Sequence, residues 1–407
     1  MAEDRPVHDA YFTTLAAALD RAGLAEPVLV LDLPRLDANA DAVAGILAGG
    51  PAVRLVVKSL PCAPLLQRLA QRLDTRRYMV FSRAMLLDMA AVDAGADLLL
   101  GKPLPVAAAA AYYDAVGAEA PSPHWLVDTP ERLDQYAVLA RTCGLRLRVS
   151  IEIDVGLGRG GVGDPAVLAA MLDRLPPEIT VTGLMGYDPH LAKLPEALGL
   201  RRRALADSRA RYAVLASVLK ARLPPERFAA LTLNTAGSPT YALHAPCGGG
   251  GLSTRAVANE VAIGSAFVKP ADFDLDTLVR HRPACFIATP VLKVQDPAGL
   301  PGLPGLAPLL ARLRPSTARA CFIHGGNWLA DPVSPPALRP SRLYGRSSNQ
   351  ERWAGPRPRR GERAVRPDDW IFLRPRQSEA LFLQFGSLAV FDGRAISGRW
   401  PVFPSSA

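Results

Sequence analysis

A (β/α)8 barrel of the TIM type followed by a mostly-β domain is the fold that this 407-residue chain predicts. Three observations carry it. From Ala52 to Phe267, eight short apolar runs alternate with Ala/Leu-rich segments of helical period. The stretch is roughly 220 residues long, which suits such a barrel. After about residue 280 the helical period fades, and ACFIATPVLKV, ARACFIHG, DWIFLRP and EALFLQFGSLAVFDG read as strands. A doubly wound open sheet is the alternative for the first part.

The elements follow in order. Residues 1–25 open with MAEDRPVHDAYFTTLAAALDRAG, an acidic, amphipathic helical segment. The run PVLVLDL (27–33) is a strand that pairs either within the barrel domain, 26–280, or with the C-terminal β domain, 281–407. Barrel strands are expected at 54–58, 78–82, 97–100, 124–128, 147–154, 180–187, 230–235 and 260–266. Between them APLLQRLAQRL, SRAMLLDMAAVDAG, TPERLDQYAVLARTCG and DPAVLAAMLDRLP carry helical spacing. Several open on a Ser, Thr or Asp cap, and two run into Gly. The run CGGGG (247–251) reads as a flexible loop.

Composition narrows the function classes. The chain is 49% hydrophobic and 21% charged, the balance of a soluble globular protein. Its start lacks the basic and apolar regions of a signal peptide, and its longest apolar stretch is too short to span a bilayer. Cytoplasm, with no membrane partner, is the expectation. Cys62, Cys143, Cys247, Cys285 and Cys321 are odd in number and widely spaced, which indicates neither a disulfide framework nor a cysteine zinc site. The net charge of +9 is concentrated. Between Pro332 and Pro367 nine Arg against two Glu give +7, so the rest of the chain is near neutral. No nucleic-acid partner is expected, and 332–367 reads as a solvated Pro/Arg-rich loop or insertion, with an anion-binding role as the alternative.

Barrels of this kind carry their chemistry at the C-terminal ends of the strands. Those ends hold Lys58, Ser82, Lys102, Asp128, Asp154, Tyr187 and Asn234–Thr235, with Gly264–Ser265 in the last strand. Lys58 closes the apolar run RLVVKS in a chain with only six lysines. Partial desolvation there would lower its pKa and leave some neutral amine, the form that attacks carbonyls. A lysine that snorkels to water is the alternative reading. The segment IEIDVGLGRGGVG (151–163) contains G-x-G-x-x-G, as dinucleotide sites do, but Asp154 precedes the glycines where a pyrophosphate would be repelled. Arg159 suits a cation beneath a ring nitrogen, or a partner for Asp154. In LNTAGSPTY (233–241), small and hydroxyl residues can bring backbone N–H groups onto one phosphate, or simply form a tight turn.

Taken in order, PVLVLDLPRLDANADAVA, RLVVKS, IEIDVGLGRGGV, GLMGYDPHL, LNTAGSPTY, NEVAIGSAFV and RPRQSEALFLQFGSLAVFDG resemble the fold-type III pyridoxal 5′-phosphate (PLP) enzymes. The D-threonine aldolase and D-serine dehydratase-like branch of the alanine racemase superfamily is the most similar. The resemblance covers most of 26–293 and a shorter stretch at 368–402. It implies a PLP-carrying barrel, a C-terminal β domain and a homodimer. By position Lys58 matches the lysine that forms a Schiff base with PLP, with Lys102 as the fallback. Arg159 and Tyr187 match residues near the cofactor ring. Thr235, Gly237 and Ser238, with Gly264 and Ser265, match the phosphate cradle. His190 matches a histidine after the family's Tyr-x-Gly, with Pro189 replacing that glycine. Gln377 and Glu379 stand where the family places a divalent-metal pair, although glutamine is a poor zinc ligand. In HGGNW (324–328), His324 is an acid–base group or a core histidine.

The resemblance implies a lyase that cleaves or dehydrates a D-3-hydroxy amino acid. An amino-acid racemase of the same fold is the runner-up, and a non-catalytic PLP-binding protein is a third reading. An NAD oxidoreductase is the distant rival.

Overall fold

A computed structural model describes residues 7–246, 257–299, 302–341 and 344–404. The CGGGG run and Cys247 lie outside the described residues. The chain divides into two compact units. The first comprises Asn39–Phe267, Leu275–His281 and Phe403–Ala407. The second comprises Met1–Ala38, Val268–Asp274 and Arg282–Val402.

Strand β1 is Val28–Asp32. The next eight are β2 (Ala52–Val56), β3 (Arg77–Val80), β4 (Asp97–Leu100), β5 (His124–Val127), β6 (Leu147–Ile153), β7 (Ile179–Gly186), β8 (Thr232–Thr235) and β9 (Glu260–Ile263). They close into a parallel barrel in that order, with β9 pairing back onto β2. The second unit adds β10 (Cys285–Gln295), β11 (Arg319–His324), β12 (Ala330–Ser334), β13 (Arg339–Pro340), β14 (Gln350–Gly355), β15 (Trp370–Pro375), β16 (Ser387–Phe391) and β17 (Ile396–Pro401).

In the barrel unit the expected Ser, Thr and Asp caps hold, but of the two runs into Gly only the one at Gly144 ends its helix, since Arg83–Val92 stops at extended Asp93 before Gly95. Ser82 Oγ accepts from the Met85 amide and opens Arg83–Val92. Thr129 caps Pro130–Cys143, which ends on left-handed Gly144, and Asp164 caps Pro165–Asp173. Six barrel strands stop one to three residues earlier than their apolar runs suggest. The trailing residues go into turns and caps instead: Val57–Ser59 and Ser265–Phe267 are 3₁₀ turns, and Ser82 is a cap. Lys58 is therefore not on a strand but on the turn after β2.

The barrel also buries charge. Arg54 on β2 and Glu260 on β9 are fully buried and form a fork, Nε to Oε1 at 2.6 Å and Nη2 to Oε2 at 3.0 Å. Arg54 Nη1 also reaches the carbonyls of Tyr78 and Asp97, and Asn234 donates to Glu260 Oε1 at 2.8 Å. One network thus ties β8, β9, β2, β3 and β4.

In the second unit the sheet runs β13-β14-β11-β10-β1-β16-β17, with β15 against β10 and β12. β1 pairs antiparallel with β10 and parallel with β16, so the strand at 27–33 belongs here and not in the barrel. The helix Ala10–Arg21, capped by Asp9, packs Phe12, Leu15 and Leu19 with Val30, Phe286 and Phe372. The start of the chain is thus part of this unit's core.

The stretch 332–367 is not simply a solvated loop. It contains the end of β12, β13 and β14, where Glu351 and Trp353 are fully buried. Buried Arg352 donates to Ser341 Oγ and the Gly299 carbonyl, which lets an arginine occupy a strand. Among the described residues no helix is long and apolar enough to cross a membrane.

Candidate active site

β8, β9, β2 and β3 are consecutive in the barrel, so the segments that follow them adjoin. The Val57–Ser59 turn leaves Lys58 partly buried, with its Nζ 4.6 Å from the centre of the Phe81 ring beyond β3. Gly264, after β9, lies so close that an added Cβ would come within 2.7 Å of Ser59 Cβ and 2.8 Å of Val56 Cβ. Only glycine allows this approach. The Gly264 amide donates to Ser238 Oγ at 2.9 Å, which staples the β8 loop to the end of β9. Thr235, Ser238 and Ser265 are all buried here, and Ser59 with them. The structure therefore brings together Lys58, Thr235, Gly237, Ser238, Gly264 and Ser265. Lys102 is exposed beyond β4.

The loop after β6 is folded onto its own aspartate. Asp154 Oδ1 accepts from the amides of Gly156 and Gly158, at 2.9 and 3.1 Å. Gly161 packs where a Cβ would meet the Ile153 carbonyl carbon at 2.8 Å. A dinucleotide would need those glycine amides for its phosphates. Here Asp154 already holds two of them, so the fingerprint is a self-closed turn. Arg159 is not Asp154's partner, as was one expectation. Its Nη2 lies 3.4 Å from Glu152 Oε1, and its Cζ lies 4.7 Å from the centre of the Tyr187 ring. Burial raises the Glu152 carboxyl above its ordinary value, although Arg159 opposes the shift.

Tyr187 follows β7 and packs against the β8 loop. A Cβ on Gly237 would come 2.6 Å from Tyr187 Cε2. Ala236 beside it adopts a left-handed φ of 65°, which a non-glycine residue holds only under restraint. The turn is closed by the amides of Thr240 and Tyr241, which donate to the Gly237 carbonyl, and Thr240 is held in turn by Asp188, which has no exposed surface. Its Oδ1 accepts from Thr240 Oγ1 at 2.6 Å, and its Oδ2 lies 2.7 Å from His244 Nε2. Sequence reasoning missed this trio. Its one signal is an acid next to Tyr187, with no mark of partners 52 and 56 residues away. His190 sits in the Pro189–Lys193 turn, and a Cβ on Gly156 would be 3.7 Å from its Nε2.

A family model for the alanine racemase N-terminal domain matches residues 31–253, more than half of the chain. The chain belongs to the alanine racemase N-terminal domain family. No curated protein matches it by sequence. Among solved structures, this alanine racemase-family chain is similar to D-threonine aldolase from Filomicrobium marinum: 17% identity, 93% of this chain and 97% of that chain covered, TM-score 0.70. D-threo-3-hydroxyaspartate dehydratase from a Delftia species is similar at 16% identity, with the same coverage and a TM-score of 0.71. An alanine racemase from Bartonella henselae with covalently bound pyridoxal phosphate is similar at 15% identity, covering 86% and 90%, with a TM-score of 0.59. At these identities the likeness is one of fold.

The remaining candidates of this alanine racemase-family chain belong to its second unit. His324 ends β11, and its carbonyl accepts from Thr289 Oγ1 at 2.6 Å. Exposed Gln377 directs its amide nitrogen to Asp272 Oδ2 at 3.5 Å, and the same aspartate pairs with Arg376 at 3.1 Å. Glu379 opens the helix Glu379–Phe385. Among the described residues no group of three or more His, Cys, Asp or Glu could hold a metal ion. Gln377 and Glu379 therefore do not fit a metal centre: the amide faces Asp272, and the neighbouring cation already engages that carboxylate.

Proposed function

We propose that this chain is a PLP-dependent enzyme acting on an amino acid, with Lys58 holding the cofactor. The observation that carries the reading is the convergence of the Lys58 turn with the stapled Ser238–Gly264 loops at adjacent strand ends. The residues fit the group. Gly237 and Gly264 present main chain where any Cβ would collide, and the buried hydroxyl residues Ser59, Thr235, Ser238 and Ser265 lie on or beside the same segments. Such clustered amides and hydroxyls hold a phosphate. The Ser238 hydroxyl accepts from Gly264, so its own proton is free to donate. Arg159, steadied by Glu152 and Tyr187, supplies a fixed cation for the ring.

When bound, the cofactor supplies an electron sink for charge that develops at the substrate α-carbon. Lys58 would hold it before the substrate arrives and would afterwards supply an amine to move a proton near that carbon. The β8 loop, with Thr235, Gly237 and Ser238, would hold the phosphate.

The reaction we propose is aldol cleavage or dehydration of a D-3-hydroxy amino acid. Its support is the likeness, along almost the whole chain, to an aldolase and a dehydratase of such substrates. Racemisation is the second reading, favoured by the poor ligand chemistry of Gln377 and Glu379. We further propose a homodimer in the cytoplasm.

Adding PLP to purified protein tests the reading. A yellow absorption band is expected, and borohydride should fix the cofactor to the peptide carrying Lys58. Lys58→Ala should abolish both. Protein that PLP cannot colour would sink the proposal. Aldehyde or ammonia released from D-threonine or D-serine would then identify a lyase, and interconversion of alanine enantiomers without release a racemase.

A further inference from the structure

The Pro/Arg-rich stretch takes no part in the site above. With β11 it lines a groove of about 530 Å³ in the second unit. Val294, Cys321 and Leu338 contribute apolar surface. Pro335, Pro356 and Pro358 contribute walls with fixed φ and no N–H to satisfy, so the groove needs little ordering to receive a ligand.

Charge in the lining is one-sided. Arg319, Arg357, Arg359 and Arg363 stand against a single acid, Glu362. Arg357 is oriented by Asp296, with Nε and Nη2 at 2.8 and 2.7 Å from Oδ1. Arg363 is oriented by Asp369 through two bonds of 2.9 Å. Neither aspartate lines the groove. Each pairing leaves part of the guanidinium fork over, Nη1 on Arg357 and Nε on Arg363. Arg359 is exposed; its backbone amide donates to Glu362, and its side chain has no carboxylate partner among the described residues.

We infer that this groove binds a small amphipathic anion, a monocarboxylate or sulfonate with an aryl or alkyl body. Its volume falls within the roughly 300–1,000 Å³ of small-molecule sites. The apolar lining takes the body, exposed Arg359 offers the anion its guanidinium fork, and the leftover Nη1 of Arg357 and Nε of Arg363 add single donors. A nucleic acid fits less well, because three of the four cations already face an aspartate, Arg319 and Arg357 sharing Asp296 and Arg363 on Asp369, and the groove is a confined hollow. The inference does not depend on the PLP reading, since every residue it uses lies in the second unit.

Titration of the full-length protein with the fluorescent anion anilinonaphthalene sulfonate tests it. The expected result is saturable binding at one site per chain, displaced by octanoate and weakened by salt. Arg359→Glu removes the cation without a carboxylate partner, and Ala337→Glu sets a carboxylate into the groove wall; both positions are exposed. Each should weaken binding by about tenfold or more, the loss expected of one charge-assisted contact. Lys58→Ala should bind like the wild type. Non-saturable binding, failure of octanoate to compete, or wild-type affinity in both groove variants overturns the inference. So does loss of binding in Lys58→Ala, which would put the dye in the barrel.

Discussion

Asp188 holds Thr240 and His244 from a position with no solvent exposure, and through Thr240, whose amide donates to the Gly237 carbonyl, the strained turn at Ala236. That turn carries Gly237 and Ser238, so Asp188 is a positioning residue for the proposed phosphate loop. Asp188→Asn keeps the size but removes the charge that receives both donors. We expect PLP to bind about tenfold more weakly to this variant, the loss of roughly one charge-assisted hydrogen bond. An absorbance titration measures it. Thr240→Ser should keep wild-type affinity and Thr240→Val should not. Equal affinity in all variants, beside a wild type that binds PLP, would remove Asp188 from the site without touching the role of Lys58.

Among the elements, the buried Arg54–Glu260 fork gives the clearest prediction. Removing Arg54 takes away the buried partner of Glu260 and leaves it the partly exposed Arg77 at 3.3 Å, so the cost approaches the roughly 3–5 kcal/mol of a broken buried pair. Arg54→Met should destabilise the barrel by about that amount in urea unfolding, and Arg54→Met with Glu260→Gln should recover part of the loss. A stability loss near zero in the single variant would show that the charge is not confined. This layer was not legible in the sequence, because an arginine within an apolar run gives no sign of a glutamate 206 residues later. The eight strands were legible, since apolar runs and helix caps are local signals. Their ends were less so: Lys58 and Ser82 extend apolar runs but serve a turn and a cap. The Pro/Arg stretch misled because its composition is that of a loop, whereas Arg352 and Trp353 are buried in β14. The proposed cradle was legible as LNTAGSPTY. Its staple, Ser238 to Gly264, forms only when β8 and β9 adjoin.

For the whole molecule, the acid arm of stability follows from buried histidines. Burial lowers His124 below its ordinary 6.5 even though Asp97 lies 2.7 Å away, and the charges of Arg148 and Arg54 add to the lowering. Burial likewise lowers His8 in the second unit. For Asp97, burial works upward, but the His124 hydrogen bond and the Arg54 charge outweigh it and hold the carboxyl low. The unfolded chain therefore binds protons that these folded groups refuse. Stability should be full above about pH 6.5 and fall as the pH drops towards the lowered histidine values. Thermal melts between about pH 5 and 8 check this, and His124→Gln should flatten the slope.

The placement of β1 has a consequence for biosynthesis. This buried apolar strand leaves the ribosome long before its partners, since β10 begins at Cys285 and β16 at Ser387. At about 5–20 residues per second the wait lasts on the order of tens of seconds. Meanwhile the nascent chain carries VLVLD as an unpaired edge, a template for aggregation. Chains stopped near residue 280 should aggregate, and Val30→Asp in the truncated chain should relieve that aggregation, as sedimentation of translation products would show.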